Sequence, residues 1–394
     1  MRNVVIVAAC RTPIGLINGQ FRSLTALDLT IPVMQNLVKR AGEGFDPALI
    51  DDVIWGCNYQ RTYKENNLAR VAAVKAGLPV TVPGVTIHRN CPSSMSSIAF
   101  GFYQIKAGEA DCIMAGGADS MTNAGHMVFG LREGKKFGDL VLHDSMWDSL
   151  SNLGIGPAMG ITAENVAEKY NVTREEMDAY SLRSHQRAVA AMDAGKFDEE
   201  IIPITVKTKK AETVISTDEG PRRDSSIEKL SKLKATFKEG GKVTAGNASS
   251  MNDAASGVIL MEEEKAKELG LPILCRVKSV ATTGVDPDYM GIGPISASHK
   301  ALDKAGLTIE DIDLWEINEA FAAQCIACQK ELGIPDDKLN VNGSGISLGH
   351  PVGATGARLV ISAIYELKRR NEKYGVATLC AGGGMGVAVV LEMV

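Results

Sequence analysis

The sequence is short of aromatic residues, which make up 5% of its 394 positions, and it carries only six histidines. It has no apolar run approaching the roughly 18 residues of a membrane-spanning helix, so no contact with a membrane is expected. Neither sign of charge dominates: 42 Lys and Arg stand against 47 Asp and Glu, a formal net charge of −5. That balance gives no support for nucleic-acid binding. An apolar content of 45% excludes a disordered chain, and the length fits two or three domains. Eight cysteines, at 10, 57, 91, 112, 275, 325, 328 and 380, lack the density of a disulfide framework and point to a reducing compartment. The first eleven residues read as a strand, Val4–Ala8, and not as a signal peptide, so a cytoplasmic location is expected. Cys325 and Cys328 form a single Cys-x-x-Cys with no second pair and no nearby histidine, so no metal site is expected.

What is present is an alternation of short β-branched runs with helical patterns, the mark of an α/β protein. The pattern predicts strands at Val4–Ala8, Asp52–Trp55, Asp111–Ala115, Leu314–Ile317, Val376–Cys380 and Val387–Leu391. It predicts helices at Leu27–Ala41, Pro92–Ala107, Ala163–Tyr170, Arg174–Ala194, Ser296–Ala305, Ala320–Leu332 and Ala354–Arg370. Residues 195–245, rich in Lys, Asp and Glu, read as a solvated excursion. The chain also repeats itself. Lys39-Arg40-Ala41-Gly42 followed by Ile50 to Trp55 resembles Asp303-Lys304-Ala305-Gly306 followed by Ile309 to Trp315. A helix follows Cys91 in the first half and His350 in the second, at nearly equal distance from Trp55 and Trp315. Each is followed by a strand with glycines, Ala115-Gly116-Gly117 and Ala381-Gly382-Gly383-Gly384. Two similar halves with an insertion between them are therefore expected.

Four positions combine reactive side chains with helix or strand ends. Cys91 precedes Pro92, which opens a helix, where free N–H groups and the helix dipole favour a thiolate. Taken alone, a buried junction cysteine would look the same. His350 lies in a loop of small residues, 342–356, leading into another helix, a setting that can host an oxyanion. Cys380 ends a strand before three glycines, whose backbone can approach a ligand closely. Asn318 ends the strand containing Trp315, where it serves either as a pocket amide or as a helix cap.

Together these segments resemble the thiolase family along nearly the whole chain. The resemblance runs through Arg11-Thr12-Pro13-Ile14-Gly15, Ala115-Gly116-Gly117, Gly160-Ile161-Thr162-Ala163-Glu164, Ala245-Gly246-Asn247-Ala248-Ser249, Asn318-Glu319-Ala320-Phe321, Gly349-His350-Pro351 and Cys380 to Gly384. It implies the duplicated thiolase fold: two similar βαβαβαββ halves packed as a layered α/β core, with an inserted loop domain. The halves would comprise 1–121 plus 249–270 and 271–394, with the loop domain at 122–248. It implies that Cys91 is the acylated nucleophile, His350 its base, and Cys380 the acid/base beside the reacting α-carbon. Asn318 and His350 would orient a water at the enolate oxygen, and the N–H groups of Cys91 and Gly382 would hold the tetrahedral oxyanion. Ser249 and Ala248 would lie along the substrate, and Met159, Met290 and Phe321 would shorten the acyl pocket.

The implied reaction is the reversible condensation of two acetyl-CoA to acetoacetyl-CoA plus CoA, in fatty acid metabolism, without metal or redox cofactor. Leu131 to Asp139 resembles the region that joins family members into a homotetramer. Degradative cleavage of longer 3-ketoacyl-CoA, and a catalytically silent lipid-binding relative, are the competing readings. Four departures from the family pattern stand near the implied site: Ser94, Ala118-Asp119, Ala158 and Ser250.

Overall fold

Strand β1 (Val4–Arg11) is buried at every residue, and its side chains alternate between two cores except at a bulge, where Val7 and Ala8 face the same core. Val5 and Val7 pack with helix α1 (Ala26–Arg40), while Val4 and Ile6 pack with helix α2 (Ser93–Ala107). The computed structural model describes residues 2–60, 62–207 and 211–394. The other principal strands are β2 (Asp52–Gly56), β3 (Gly84–Ile87), β4 (Cys112–Ser120), β5 (Asn252–Glu262), β6 (Cys275–Gly284), β7 (Leu314–Ile317), β8 (Tyr374–Ala381) and β9 (Met385–Glu392). Among the described residues these strands run in the order β7-β8-β9-β6-β1-β5-β4-β2-β3.

The repeat is visible in the pairing. β2 runs parallel to β4, and β7 parallel to β8; the next two pairings in each half are antiparallel. The halves join where β1 pairs with β6. Trp55 lies opposite Thr86 of β3, and Trp315 makes the corresponding parallel bridge to Leu339, where no full strand forms. The register corrects one expected match. Gly116 is opposite Trp55, whereas the residue opposite Trp315 is Val376, so Gly382 lies well past the equivalent of Gly116. Gly116 is a mid-strand glycine because a Cβ there would collide with the Trp55 ring.

Further helices are α3 (Met159–Lys169), α4 (Arg174–Asp193), α5 (Gly293–Ala305), α6 (Ala322–Leu332) and α7 (Val352–Arg370). α2 and α7 form the middle layer, with Met95 and Ile98 from one and Leu359, Val360 and Ile364 from the other in a single cluster. α1 covers the outer face of the first half, and α5 and α6 cover that of the second. α7 is buried continuously from Val352 to Leu367, and its buried charges are paired, Arg358 with Glu316 and Glu366 with Lys196.

The expected strands and helices all occur, with ends shifted by a few residues. β3, β5, β6 and the helix Leu68–Ala76 were not among them. The 195–245 segment is not simply a solvated excursion. Its Ile202, Ile204 and Val206 join the first core, and its Glu200 and Asp218 form buried ion pairs with Arg11. Replacing Ile361, fully buried in the middle layer, by Ala should cost about 2–5 kcal/mol of stability in urea unfolding. The same change at exposed Ile227 should cost about 0.5 kcal/mol or less.

Candidate active site

Cys91 stands two residues before α2, whose N-cap is Pro92. Pro92 offers no capping side chain, so the first turn is closed by other groups: the Ser93 hydroxyl donates to the Asn90 carbonyl at 2.7 Å and accepts from the Arg89 N–H at 2.8 Å. Asn90 adopts a left-handed backbone (φ +50°), a conformation asparagine tolerates better than most residues. Its amide donates to the Gly382 carbonyl at 2.7 Å, tying the Cys91 loop to the turn after β8. The backbone N–H groups of Gly382 and of Cys91 itself are directed at the Cys91 thiol. Burial outweighs their pull and pushes that thiol up to about 11.

His350 stands two residues before α7. Gly349, at φ +111°, makes the turn into it, and a Cβ there would run into the Asn252 side chain. That side chain accepts from the His350 N–H at 2.8 Å and from the Ser250 hydroxyl at 2.9 Å. The ring Nδ1 lies 2.7 Å from the Thr355 hydroxyl, which donates its only hydrogen to the Pro351 carbonyl at 2.8 Å. Thr355 must then accept from Nδ1–H, which assigns the proton to Nδ1 and leaves Nε2 bare. Nε2 faces the Asn318 amide at 3.4 Å. Burial, aided by the Arg358 charge, pushes His350 down to about 3, so the ring is neutral, with its Nε2 lone pair turned to the Asn318 amide.

Asn318 is held from behind. Its neighbour Glu319 is a buried carboxylate that accepts from Ser184 (2.6 Å), Asn340 (3.1 Å), Tyr180 (3.2 Å) and the Ile346 N–H (3.1 Å). These bonds fasten the end of β7 to α4 and to the glycine loop that carries His350. Among the described residues, the Asn318 side-chain oxygen is buried without a hydrogen-bond partner.

A cavity of about 380 Å³ gathers most of the expected residues: Cys91, His350, Gly382, Ser249, Ala248, Met159, Met290 and Phe321 all line it. Cys380 does not. It lies fully buried behind the wall, in one apolar group with Met159, Met290, Phe321 and Ala248. A charge on Cys91 would reach it, and burial with that neighbour pushes its thiol well above the usual range. Asn318 reaches the cavity through His350. Cys325 and Cys328 donate to the carbonyls of Asn318 and Gly291, at 3.6 and 3.4 Å.

Several lining or supporting residues were not foreseen: Asn90, Thr355, Tyr59, Met121, Met146 and Phe237. Only Thr355 had a readable signal, a hydroxyl in the first turn of the helix after His350. The departures also take on definite jobs. Ser94 accepts from the Ala357 N–H at 2.9 Å, linking α2 to α7. Asp119 accepts from the N–H groups of Asn58 (2.9 Å), Tyr59 (3.0 Å) and Gly353 (2.6 Å). Ala158 lines the cavity with a short side chain. A smaller polar notch bearing His185, Arg222 and Ser225 shares Ala248 and Ser250 with the main cavity.

With both thiol and imidazole neutral at rest, alkylation of Cys91 by iodoacetamide should accelerate steadily from pH 6 to pH 9, following the small thiolate fraction. A plateau within that interval would indicate a preformed thiolate–imidazolium pair.

The thiolase N-terminal domain pattern matches residues 4–264 and the thiolase C-terminal domain pattern residues 271–393. The acetyl-CoA acetyltransferase of Syntrophomonas wolfei is 47% identical over 99% of both chains. The crystal structure of the Bacillus anthracis acetyl-CoA acetyltransferase is 47% identical, with a TM-score of 0.97 over 100% of this chain and 99% of that one. Human mitochondrial 3-ketoacyl-CoA thiolase, solved in complex with CoA, is 41% identical, with a TM-score of 0.95 over 100% and 98% of the two chains. With both domain patterns matched along almost its full length, and with the fold to go with them, the chain belongs to the thiolase family of acyltransferases.

Proposed function

We propose that the protein is an acetyl-CoA C-acetyltransferase that interconverts two acetyl-CoA with acetoacetyl-CoA and CoA through an acetyl group carried on Cys91. The observation that carries this reading is a neutral imidazole with a bare Nε2, on one cavity with one thiol and backed by a second. In the cleavage direction, Cys91 Sγ attacks the 3-keto carbon of acetoacetyl-CoA while Nε2 of His350 takes its proton. The N–H groups of Cys91 and Gly382 receive the oxyanion that forms. Collapse breaks the C2–C3 bond, leaving acetyl-Cys91 and the enolate of acetyl-CoA, whose oxygen is met by His350 and by a water held by Asn318. Cys380, kept as a thiol by burial, protonates the enolate carbon and is later reprotonated as CoA–SH enters. The CoA sulfur then takes the acetyl group from Cys91, whose departing thiolate regains its proton from Nε2 of His350. Condensation runs the same steps backwards. None of the steps calls for a metal or redox cofactor.

The apolar walls and Ser249 suit the pantetheine arm, and Arg222 in the adjoining notch suits the anionic end of coenzyme A. The proposal takes 122–248 as the loop domain that supplies much of this wall, between a first half at 1–121 plus 249–270 and a second at 271–394. It includes a homotetramer, supported by the exposed apolar residues Phe129, Leu131, Phe137 and Leu140. It includes a cytoplasmic location, supported by eight unpaired cysteines. No helix among the described residues is long and apolar enough to cross a membrane.

The decisive variant is Cys380→Ser, which should lose at least about 10²-fold in kcat yet still form acetyl-Cys91 from acetyl-CoA. Undiminished turnover would remove Cys380 from the mechanism. Thr355→Val should lower kcat by roughly 10²-fold, and Thr355→Ser should restore most of it, because only the hydroxyl fixes the His350 proton. For the wild-type protein, kcat/KM for CoA-dependent thiolysis should be higher with acetoacetyl-CoA than with six- to ten-carbon 3-ketoacyl-CoA. The reverse order would make it a degradative 3-ketoacyl-CoA thiolase.

A further inference from the structure

The cavity wall carries two separate apolar groups, and only one contains residues so far assigned to substrate. Met159, Met290 and Phe321 share theirs with Cys380. Tyr59, Met121 and Val352 form the other, and Cys91 and Met146 pack directly against it. An acyl group bonded to Cys91 therefore begins its course beside Tyr59.

Tyr59 is held unusually firmly for a loop residue three positions past β2. Its N–H donates to Asp119 at 3.0 Å, and the same carboxylate holds the Asn58 N–H and the first turn of α7. Its phenol lies 2.8 Å from the Ser149 hydroxyl. Ser149 spends its hydrogen on the Met146 carbonyl at 2.8 Å, so Tyr59 O–H is the donor in that contact. The ring is thereby pinned at both ends, to the core by Asp119 and to the short helix Ser145–Ser151 by Ser149.

We propose that Tyr59, clasped by Ser149, is the residue that limits acyl-chain length in this protein, forming the end wall met by carbons beyond the acetyl methyl. The proposal rests on Cys91 being the acylated nucleophile. A longer chain must either displace the ring, breaking the bond to Ser149, or stay out of the pocket. Since a hydrophobic pocket discriminates by about 10- to 200-fold per methylene, a fixed ring suffices to set a short-chain preference.

The test is the rate of Cys91 acylation by acetyl-, butyryl-, hexanoyl- and octanoyl-CoA, read by rapid-quench mass spectrometry, which needs no complete turnover. In the wild-type protein the rate should fall steeply beyond acetyl, already at butyryl. Tyr59→Ala should raise the octanoyl-to-acetyl rate ratio by at least about tenfold. Ser149→Ala, which frees the ring without removing it, should raise the ratio by a smaller factor and serves if the first variant does not fold. Tyr59→Phe, which keeps the ring and loses its hydroxyl, should match Ser149→Ala. Unchanged ratios in a folded Tyr59→Ala, or in Ser149→Ala and Tyr59→Phe together, would overturn the proposal while leaving the reaction assignment intact. Failure of every donor to acylate the wild-type Cys91 would overturn the reaction assignment and this proposal with it.

Discussion

The site depends on the packing of α2 against α7 in the middle layer. Each helix comes from a different half of the chain, and each is preceded by two residues that carry its reactive side chain to the same end of the layer. The helices touch where a Cβ on Gly356 would meet Met95, and where the Ala357 N–H meets the Ser94 hydroxyl. Because that contact fixes the relative height of the helices, Cys91 and His350 open onto one cavity. A shift of one turn, about 5.4 Å, would separate them. The duplication thus places a thiol and an imidazole at equivalent points of two similar halves.

Around that contact, buried carboxylates hold the loops. Asp119 joins the turn after β2 to the start of α7, and Glu319 joins the end of β7 to the glycine loop. Glu200 and Asp218 hold Arg11, bringing the inserted segment back onto β1. Buried ion pairs of this kind contribute little net stability, but removing one partner is costly, so they act here mainly to fix geometry. The reacting groups follow the opposite rule. Cys91, Cys380 and His350 carry no charge at rest, so the apolar cavity bears no standing desolvation cost, and charge develops only when the substrate supplies it.

Much of this could be read from the residues. The helix Arg174–Asp193 opens on a capping box formed by Thr173 and Glu176, and it and the short strand Leu314–Ile317 lie where the pattern put them. The long strand β5 did not declare itself. It is buried at all eleven residues, so its Ala, Gly and Asp side chains show no alternation, and burial came from partners distant in sequence. Cys91, His350 and Cys380 stood out because Pro or Gly punctuated the chain beside them, and Asn318 because it ended a strand. Tyr59 and Asn90 did not, because their roles arise from contacts across 90 and 292 positions, to Ser149 and Gly382. Likewise, the glycine turn marked Cys380 only as a candidate, equally readable as an inert strand cysteine until the family resemblance gave it a role, and its seat behind the apolar wall depends on the packing of Met290 and Phe321.

The central claim is that Cys91 carries the acyl group. It is tested most directly by mixing the protein with acetyl-CoA, quenching in acid within milliseconds, and mapping the modified peptide by mass spectrometry. The account predicts one acetyl group, on Cys91, released as acetyl-CoA when CoA is added. An acetyl group on Cys380, or none on either cysteine, would contradict it.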